Sequence, residues 1–164
     1  MRFLGNIEAK TDAKGRVFLP ATFRKVMQSS GETELVMRKD VFQDCLVLYP
    51  GSVWDKQMET LRSKLNRWNR QHQQVFRQFV SDVEVITPDA SGRILIPRKY
   101  QEMCGIQQQV QFLGVDDTIE IWPSRQDSEP FVEAQEFAEI LEELMGEAPS
   151  LPPRGEEKEV TKGK

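Results

Sequence analysis

Features that mark metalloproteins, secreted proteins and many enzymes are scarce in this sequence. Its 164 residues include two cysteines and one histidine, and Cys45 and Cys104 form no CxxC pair that His72 could join. Neither a zinc site nor a disulfide framework is indicated, and each cysteine is predicted to be a buried, small apolar residue. Phosphate-binding glycine loops, GxSxG and HExxH are also missing. The sequence therefore predicts no enzyme, no metal, no cofactor and no small-molecule substrate.

Long hydrophobic runs are absent as well. No stretch approaches the roughly 20 apolar residues of a membrane span, and the first ten residues, MRFLGNIEAK, lack the apolar centre of a signal peptide. We therefore expect a cytoplasmic protein with no membrane partner. A hydrophobic fraction of 38% and a charged fraction of 29% are typical of a globular protein. The length suffices for one domain, or for two small units that share a core.

Net positive charge is lacking overall but present locally. The formal charge of -4 argues against a nucleic-acid partner. However, residues 1–100 contain 17 Lys and Arg against 11 Asp and Glu, whereas residues 101–164 contain 5 against 15. A surface responds to charges within a Debye length of about 8 Å, so the first part could attract phosphates. On charge alone, an ordinary asymmetry of the protein surface is the favoured interpretation.

One nine-residue segment occurs twice in the chain. DAKGRVFLP at residues 12–20 aligns without a gap with DASGRILIP at residues 89–97, with five identical positions. Downstream, each copy continues with a short helical segment and two apolar strands, and each ends in an aromatic residue followed by proline. Each copy is therefore predicted as strand, turn, strand, short helix, strand, turn, strand. Two copies in one chain predict a pair related by a pseudo-twofold axis.

Turn preferences explain most of the repeated segment. An aspartate takes the first turn position, where its carboxylate accepts backbone N–H bonds, and a glycine takes the fourth, where a left-handed backbone costs least. The apolar triplets at residues 17–19 and 94–96 are predicted to be buried strand. The proline that follows ends the strand and suits a first helical turn. The residues assigned to this structural motif are Asp12, Gly15, Pro20, Asp89, Gly92 and Pro97.

The arginine after each glycine is not explained by turn geometry. Arg16 and Arg93 occupy this position in the two copies. One interpretation is an ion pair with the aspartate four residues earlier, which would fasten the turn. The other is a guanidinium with five N–H donors presented to phosphate or guanine, a role in which lysine would not substitute. The two interpretations are compatible.

The motif Asp-x-x-Gly-Arg-x-x-(Leu/Ile)-Pro resembles that of the SpoVT/AbrB-like DNA-binding domains. Tandem copies, with LVLYP between them and IEIWP after the second, resemble one bacterial family of transcriptional regulators. Over about residues 1–145, the resemblance implies an α+β fold: a swapped-hairpin β-barrel formed as an intrachain pseudo-dimer, with flanking helices. It also implies ring-like homo-oligomers, a nucleoid association, and binding to G-rich direct repeats of double-stranded DNA in the promoter of the division and cell-wall gene cluster.

The resemblance assigns DNA contacts unevenly to the two copies. Such domains resemble one another in a basic residue before the aspartate, the motif arginine, and a basic pair ending the short helix. The first copy matches all of these, whereas Thr87, Gln101 and Glu102 stand at the other places in the second. The first copy is therefore expected to be the stronger DNA surface. The residues assigned to DNA binding are Lys10, Lys14, Arg16, Arg24, Lys25, Arg93, Arg98 and Lys99.

Helical patterns connect and follow the repeats. Between repeats at residues 1–50 and 81–125, residues 51–80 carry apolar side chains at alternating spacings of four and three. They are predicted to form a helical linker, and Ser52 with Asp55 resembles a capping box. The family resemblance implies a helical hairpin here, with a break near residues 66–71. This linker either covers its own barrel or forms a subunit interface.

An acidic helix is expected over residues 126–147, with Ser128 as its N-cap and Pro130 in its first turn. Its acidic face is either solvated or competes with DNA for the basic surface. Residues 148–164 lack core-forming side chains and are predicted to be disordered.

Two functional hypotheses remain open on the sequence. The first is a DNA-binding regulator, and the second is a protein-interaction module, antitoxin-like or a ring scaffold, that works without specific DNA binding. Antitoxins of this fold class typically append a disordered tail to a single barrel copy. Two copies and a folded acidic helix favour the regulator.

Overall fold

A computed structural model of the chain describes residues 1–125, 127 and 129–146. The chain divides into two compact units, Met1–Ser128 and Glu129–Lys164. The predicted cap Ser128 and the predicted tail at residues 148–164 lie outside the described residues.

Both copies of the repeat have the predicted order of elements. The first contains β1 (Asn6–Lys10), β2 (Arg16–Phe18), α1 (Ala21–Ser29), β3 (Leu35–Lys39) and β4 (Leu46–Pro50). Two helices follow, α2 (Gly51–Lys64) and α3 (Arg70–Ser81). The second copy contains β5 (Val83–Ile86), β6 (Arg93–Leu95), α4 (Arg98–Cys104), β7 (Gln109–Val115) and β8 (Thr118–Pro123).

The protein has a mixed α+β fold in which each strand of one copy pairs with a strand of the other. The larger sheet has six antiparallel strands in the order β1-β7-β8-β4-β3-β5, and β2 pairs with β6 in a separate two-stranded ribbon. If each strand is replaced by its equivalent from the other copy, the same strand order is obtained in reverse. At the centre, Leu46 faces Ile121 and Leu48 faces Ile119, which are equivalent pairs from the two copies. The topology therefore agrees with the predicted pseudo-twofold pair, with its axis between β4 and β8.

The core draws equally on both copies. Val17 and Leu19 from the first copy are buried in one cluster with their equivalents Ile94 and Ile96 from the second. The same cluster contains large side chains of both sheets and both short helices, among them Phe3, Phe23, Leu35, Tyr100 and Phe112. Each such side chain contributes roughly 1.5–3 kcal/mol when it is removed from water. The shared core stabilises the two copies as one body.

Both cysteines are buried, as predicted from the sequence. Cys45 and Cys104 are free thiols in the interior. Burial raises the pKa of the Cys104 thiol to about 11, and burial likewise raises the pKa of Cys45. The thiolate is the reactive form, and burial disfavours it in both side chains.

The helical linker is broken where the family resemblance implied a break. α2 ends at Lys64 and α3 begins at Arg70. The side chain of Asn69 caps α3 by accepting a bond from the His72 backbone N–H at 3.0 Å. The imidazole Nδ1 of His72 accepts from the Asn66 backbone N–H at 2.9 Å. His72 thus organises the turn between the two helices.

The predicted capping box at the start of α2 is wrong. Pro50 ends β4 and occupies the N-cap position, and its side chain makes no capping bond. Ser52 therefore lies inside the first turn, where its hydroxyl donates to Glu32 Oε2 at 2.5 Å. The fixed backbone angle of proline, and not a serine cap, sets the beginning of this helix.

The open end of the helical hairpin packs on the sheet. Trp54 of α2 stacks on Phe79 of α3, with ring centroids 5.6 Å apart, and Tyr49 of β4 meets Trp54 edge-on. The guanidinium of Arg38 from β3 lies 4.3 Å from the centroid of Phe79. At the tip of the hairpin, in contrast, Trp68 is 95% exposed. One part of the hairpin thus covers its own sheet, and another part is accessible to a second molecule.

The second unit contains α5 (Ala134–Gly146), all of whose residues are exposed. It begins later than predicted, so Pro130 precedes the helix instead of lying in its first turn. Within the described residues, no helix combines the length and apolar character required to cross a membrane.

Candidate nucleic-acid interface

The first copy of the motif forms a turn that is fastened by its aspartate. Asp12 Oδ1 accepts hydrogen bonds from the backbone N–H groups of Lys14 and Arg16, both at 2.9 Å. The second carboxylate oxygen, Oδ2, accepts from Arg16 Nε at 2.7 Å. The carboxylate therefore sets both the backbone of the turn and the direction of the guanidinium.

The second copy reproduces these contacts. Asp89 Oδ1 accepts from the backbone N–H groups of Ser91 and Arg93 at 2.9 Å, and Oδ2 accepts from Arg93 Nε at 2.9 Å. The structure thus contains the ion pair considered in the first interpretation of the motif arginine. Both pairs are partly exposed, with side-chain exposures between 32% and 41%.

The charges of the two aspartates are stabilised by these contacts. The bond from the Arg16 backbone N–H is the largest cause that holds the pKa of Asp12 below its usual value of 3.8, and the Arg16 side chain adds to it. The backbone N–H and the side chain of Arg93 lower the pKa of Asp89 in the same way. Both carboxylates are therefore ionised at neutral pH, and each remains a firm partner of its arginine.

Gly15 and Gly92 adopt a left-handed backbone conformation that is strained for other residues. Their φ angles are +86° and +89°. A Cβ atom at Gly15 would lie 2.8 Å from the carbonyl oxygen of Ile96 and would also overlap Gln101 Nε2. At Gly92, a Cβ would meet the side chain of Arg24, with its nearest atom at 2.8 Å. Both glycines thus allow a left-handed backbone and a close approach from the other copy.

Strands β2 and β6 form a ribbon with two distinct faces. Val17 lies opposite Ile94, and both are 1% exposed on the core side. On the outer face, Arg16 lies opposite Leu95 and Phe18 lies opposite Arg93. We call these four outward residues, Arg16, Phe18, Arg93 and Leu95, the ribbon face. It alternates arginine and apolar side chains in both directions.

The prediction that both apolar triplets are entirely buried is wrong at their central residues. Phe18 is 56% exposed and Leu95 is 50% exposed. The physical reason is the two-residue period of a strand, which turns every second side chain away from the core. The signal was available in the sequence, because the arginine and the second apolar residue of each copy have the spacing of one strand face.

Each end of the ribbon is built from both copies. The Gly15 carbonyl accepts from the Ile96 N–H at 2.9 Å, and the Gly92 carbonyl accepts from the Leu19 N–H at 2.9 Å. The first turn therefore lies beside the start of α4, and the second turn lies beside the start of α1.

Arg24 lies at the end of the ribbon opposite to the one expected. The expectation of a stronger DNA surface in the first copy groups Arg24 and Lys25 with Arg16, because all three belong to that copy. In the structure, Arg24 donates from Nη1 to the Leu19 carbonyl and lies against Gly92. A cavity of about 380 Å³ is lined by α1 residues together with residues 88–92 of the second turn. The expectation is wrong because strand exchange brings α1 to the turn of the other copy.

Gln101 takes the place of Arg24 in the second copy. Its Nε2 donates to the Ile96 carbonyl at 2.7 Å and lies against Gly15. An amide and a guanidinium thus make the same contact at the two ends. Both copies thus place a donor at this position, and only one of the two donors carries a positive charge.

The remaining basic candidates differ in their availability. Lys10 at the end of β1, Lys14 in the first turn, Lys25 on α1 and Arg98 at the start of α4 are exposed. Lys99, although half-exposed, forms ion pairs with two acidic residues, at 3.4 Å with Asp82 and 3.5 Å with Glu84.

Comparison with known proteins agrees with the architecture. A family model described as "MraZ protein, putative antitoxin-like" matches residues 2–78 and again 79–146. A protein of Phocaeicola vulgatus is 62% identical over 146 residues, which cover 89% of this chain and 95% of that protein. A protein of Bacteroides thetaiotaomicron is 58% identical over 147 residues, covering 90% and 94%, respectively.

Similarity extends to a more distant relative. A protein of Flavobacterium psychrophilum is 33% identical over 148 residues, covering 87% of this chain and 91% of its own. All three relatives are named transcriptional regulator MraZ. Because the family model matches both copies of the repeat and the relatives align along most of the chain, the chain belongs to the MraZ family.

Proposed function

We propose that this protein is a transcriptional regulator that binds double-stranded DNA with the ribbon face and the basic residues around it. The observation that carries the proposal is the pair of arginines, Arg16 and Arg93, each held on the outer side of the ribbon by its own aspartate. The names of the relatives support the same function. Such a protein has no need of catalytic groups, in keeping with the prediction from the sequence.

The fixed arginines suit the recognition of guanine or phosphate. Each aspartate bonds Nε at one edge of the guanidinium, so the plane of the group is set before DNA arrives. Pre-orientation lowers the entropy that is lost on binding. A guanidinium can donate two bonds to O6 and N7 of guanine, and a two-stranded ribbon fits a major groove about 12 Å wide. We propose that this contact underlies binding to G-rich direct repeats in the promoter of the division and cell-wall gene cluster.

The surrounding basic residues would then hold the DNA backbone. Lys10, Lys14 and Arg98 are exposed candidates, and Lys25 joins Arg24 on α1 near the second turn. Phosphate contacts of this kind supply affinity without reading sequence. Lys99 contributes less, because Asp82 and Glu84 compensate its charge.

We also propose that the repeats at residues 1–50 and 81–125 close into a swapped-hairpin barrel and that several chains form a ring. The pairing of every strand of one copy with a strand of the other supports an intrachain pseudo-dimer. The exposed indole of Trp68 at the hairpin tip supports contacts between chains. Light scattering at micromolar concentration should give several times the monomer mass of 19.0 kDa. A mass near that of one chain would contradict the ring.

The function is tested by anisotropy titration of DNA from immediately upstream of the protein's own reading frame. A scrambled duplex of equal composition is the control, and each duplex is titrated at two salt concentrations. We expect preference for the upstream DNA and an affinity that falls steeply with salt, because bound phosphates release counterions. Equal, weak binding to both duplexes would reject the regulator and favour the protein-interaction module.

A further inference from the structure

Two of the four residues of the ribbon face are large, exposed apolar side chains. Phe18 is 56% exposed and Leu95 is 50% exposed. Each lies directly opposite an arginine on the partner strand, Phe18 beside Arg93 and Leu95 beside Arg16. The fold gains little from apolar groups placed here, because the core side of the ribbon is already filled by Val17 and Ile94. Their position therefore points to a bound partner.

We propose that Phe18 and Leu95 contact the C5-methyl groups of thymine in the major groove, so that the ribbon reads thymine as well as guanine. The inference rests on the proposed function. It adds to the arginines two base-reading residues, Phe18 and Leu95, whose side chains form no hydrogen bonds. Apolar contact with the thymine methyl is an established mode of base recognition. The bound DNA would thus carry thymines close to the guanines read by the arginines.

The spacing of the ribbon face agrees with the spacing of base pairs. Arg16 and Phe18 are two residues apart on one strand, hence about 6.8 Å apart along it. Base pairs follow one another at about 3.4 Å, so these two side chains span about two steps of the duplex. Across the ribbon, opposite Cβ atoms are about 5 Å apart. Phe18 and Arg93 can therefore reach neighbouring bases, and so can Leu95 and Arg16.

The charges around the apolar pair favour DNA over an apolar protein surface. A protein that covered Phe18 and Leu95 would also bury Arg16 and Arg93, whose charges are already partly compensated by Asp12 and Asp89. Burying such pairs away from water is costly. A DNA groove offers polar base edges to the arginines and methyl groups to the apolar residues on one surface, and phosphates surround both.

The test uses thymine and deoxyuracil, which differ by that methyl group alone. The upstream duplex is prepared once with thymine and once with deoxyuracil at every thymine, and the full chain is titrated with each. Burial of a methyl group is worth about 0.8 kcal/mol, which is about a fourfold change in affinity. We expect wild-type protein to bind the deoxyuracil duplex at least about fourfold more weakly.

Two variants connect this methyl preference to the ribbon face. Phe18→Ala should weaken binding to the thymine duplex and reduce the penalty for deoxyuracil, and Phe18→Ala with Leu95→Ala should remove the penalty. Phe42→Ala is the matched control, because Phe42 is 89% exposed outside the ribbon, between β3 and β4. It should retain both the wild-type affinity and the wild-type penalty. Thermal melts establish that each variant is folded.

The outcomes separate this inference from the proposed function. Equal binding of the two duplexes by wild-type protein would overturn the methyl contact, and so would an undiminished penalty in the folded double variant. In either case, preference for upstream over scrambled DNA would leave the regulator intact. If wild-type protein shows no such preference, the proposed function fails and the methyl contact fails with it.

Discussion

The two copies of the repeat share their turn geometry but differ in charge on the helix that follows. In both turns, the aspartate accepts the same three bonds, and corresponding distances agree within 0.2 Å. On the helix, however, Arg24 and Lys25 of the first copy correspond to Gln101 and Glu102 of the second. Since Gln101 makes the carbonyl contact that Arg24 makes, the positive charge of Arg24 exceeds what the fold needs.

The exchange of strands also changes where that extra charge is located. Comparing the copies along the sequence predicts a strong DNA surface in the first and a weak one in the second. In space, the helix carrying Arg24 lies beside the second turn, whereas Lys10 and Lys14 belong to the first. Basic residues are therefore present at both ends of the ribbon. When two repeats are interleaved, a difference in charge between their sequences therefore does not produce one strong and one weak DNA surface.

The largest expected effect is a loss of stability that differs between the two turns. Alanine at either Gly15 or Gly92 would have to adopt the positive φ of the turn, which costs about 1–3 kcal/mol of stability. Gly15→Ala should cost more than Gly92→Ala, since its Cβ meets a backbone carbonyl and not only a side chain. Gly15→Val should be the most damaging, because it is β-branched.

Denaturant unfolding measures the difference between these glycine variants. Gly31→Ala is the matched control, since Gly31 has φ +73° and open space around its position. It should report the backbone cost alone. If Gly15→Ala and Gly92→Ala lost equal stability, the contact with Ile96 would be unimportant.

The motif arginines should show a large effect on DNA binding and a small one on folding. Arg16→Ala and Arg93→Ala should each weaken binding by about 1–3 kcal/mol for a lost base contact. The two losses should be similar, because both ends of the ribbon carry further basic residues. The exposed ion pairs contribute only about 0–1 kcal/mol to stability. Anisotropy titrations beside thermal melts separate the roles: early melting with normal DNA binding would assign the arginines to the fold alone.

Arg24→Gln tests whether the charge and the contact of this residue are separate. Glutamine should preserve stability, because Gln101 makes the equivalent bond to the Ile96 carbonyl at 2.7 Å. DNA binding should weaken evenly across sequences, and its salt slope should fall by about one, as expected for a lost phosphate contact. Arg24→Ala is the control that removes charge and contact together, and it should also lower the melting temperature. A glutamine variant with an unchanged salt slope would show that Arg24 does not touch DNA.

The smallest effect concerns pH and should be equal in the two copies. The pKa values of Asp12 and Asp89 are lowered from 3.8 in the folded state. Their stabilisation is therefore present above about pH 3.8, and it is lost as the pH falls through the lower folded-state pKa values. Asp12→Asn and Asp89→Asn should each melt earlier than wild type at neutral pH, with the difference shrinking in acid. A difference that stayed constant down to acid unfolding would exclude the carboxylate charge as its cause.

The fold could be predicted from the sequence to the extent that it depends on local patterns. The aspartate, glycine and proline of each copy identified the turns, and the alternation of apolar segments identified all eight strands. The pairing of β1 with β7 and of β3 with β5 could not be derived from these patterns, since it joins segments far apart in the chain. The position of Arg24 depends on the likewise distant pairing of β2 with β6, so it was assigned to the wrong end. Phe18 and Leu95 were missed because apolar triplets were treated as uniformly buried.

The interleaving of the copies constrains how the chain can fold during its synthesis. Asn6 in the first strand pairs with Leu113, so β1 gains its partner only after the second copy has been made. Contacts of such high sequence separation slow folding. At about 5–20 residues per second, the first copy spends on the order of several seconds with unpaired strand edges. During that interval its best available partner is the first copy of another nascent chain, because the two copies have the same architecture. Domain swapping between neighbouring nascent chains is thus the misfolding route to which this duplication exposes the protein.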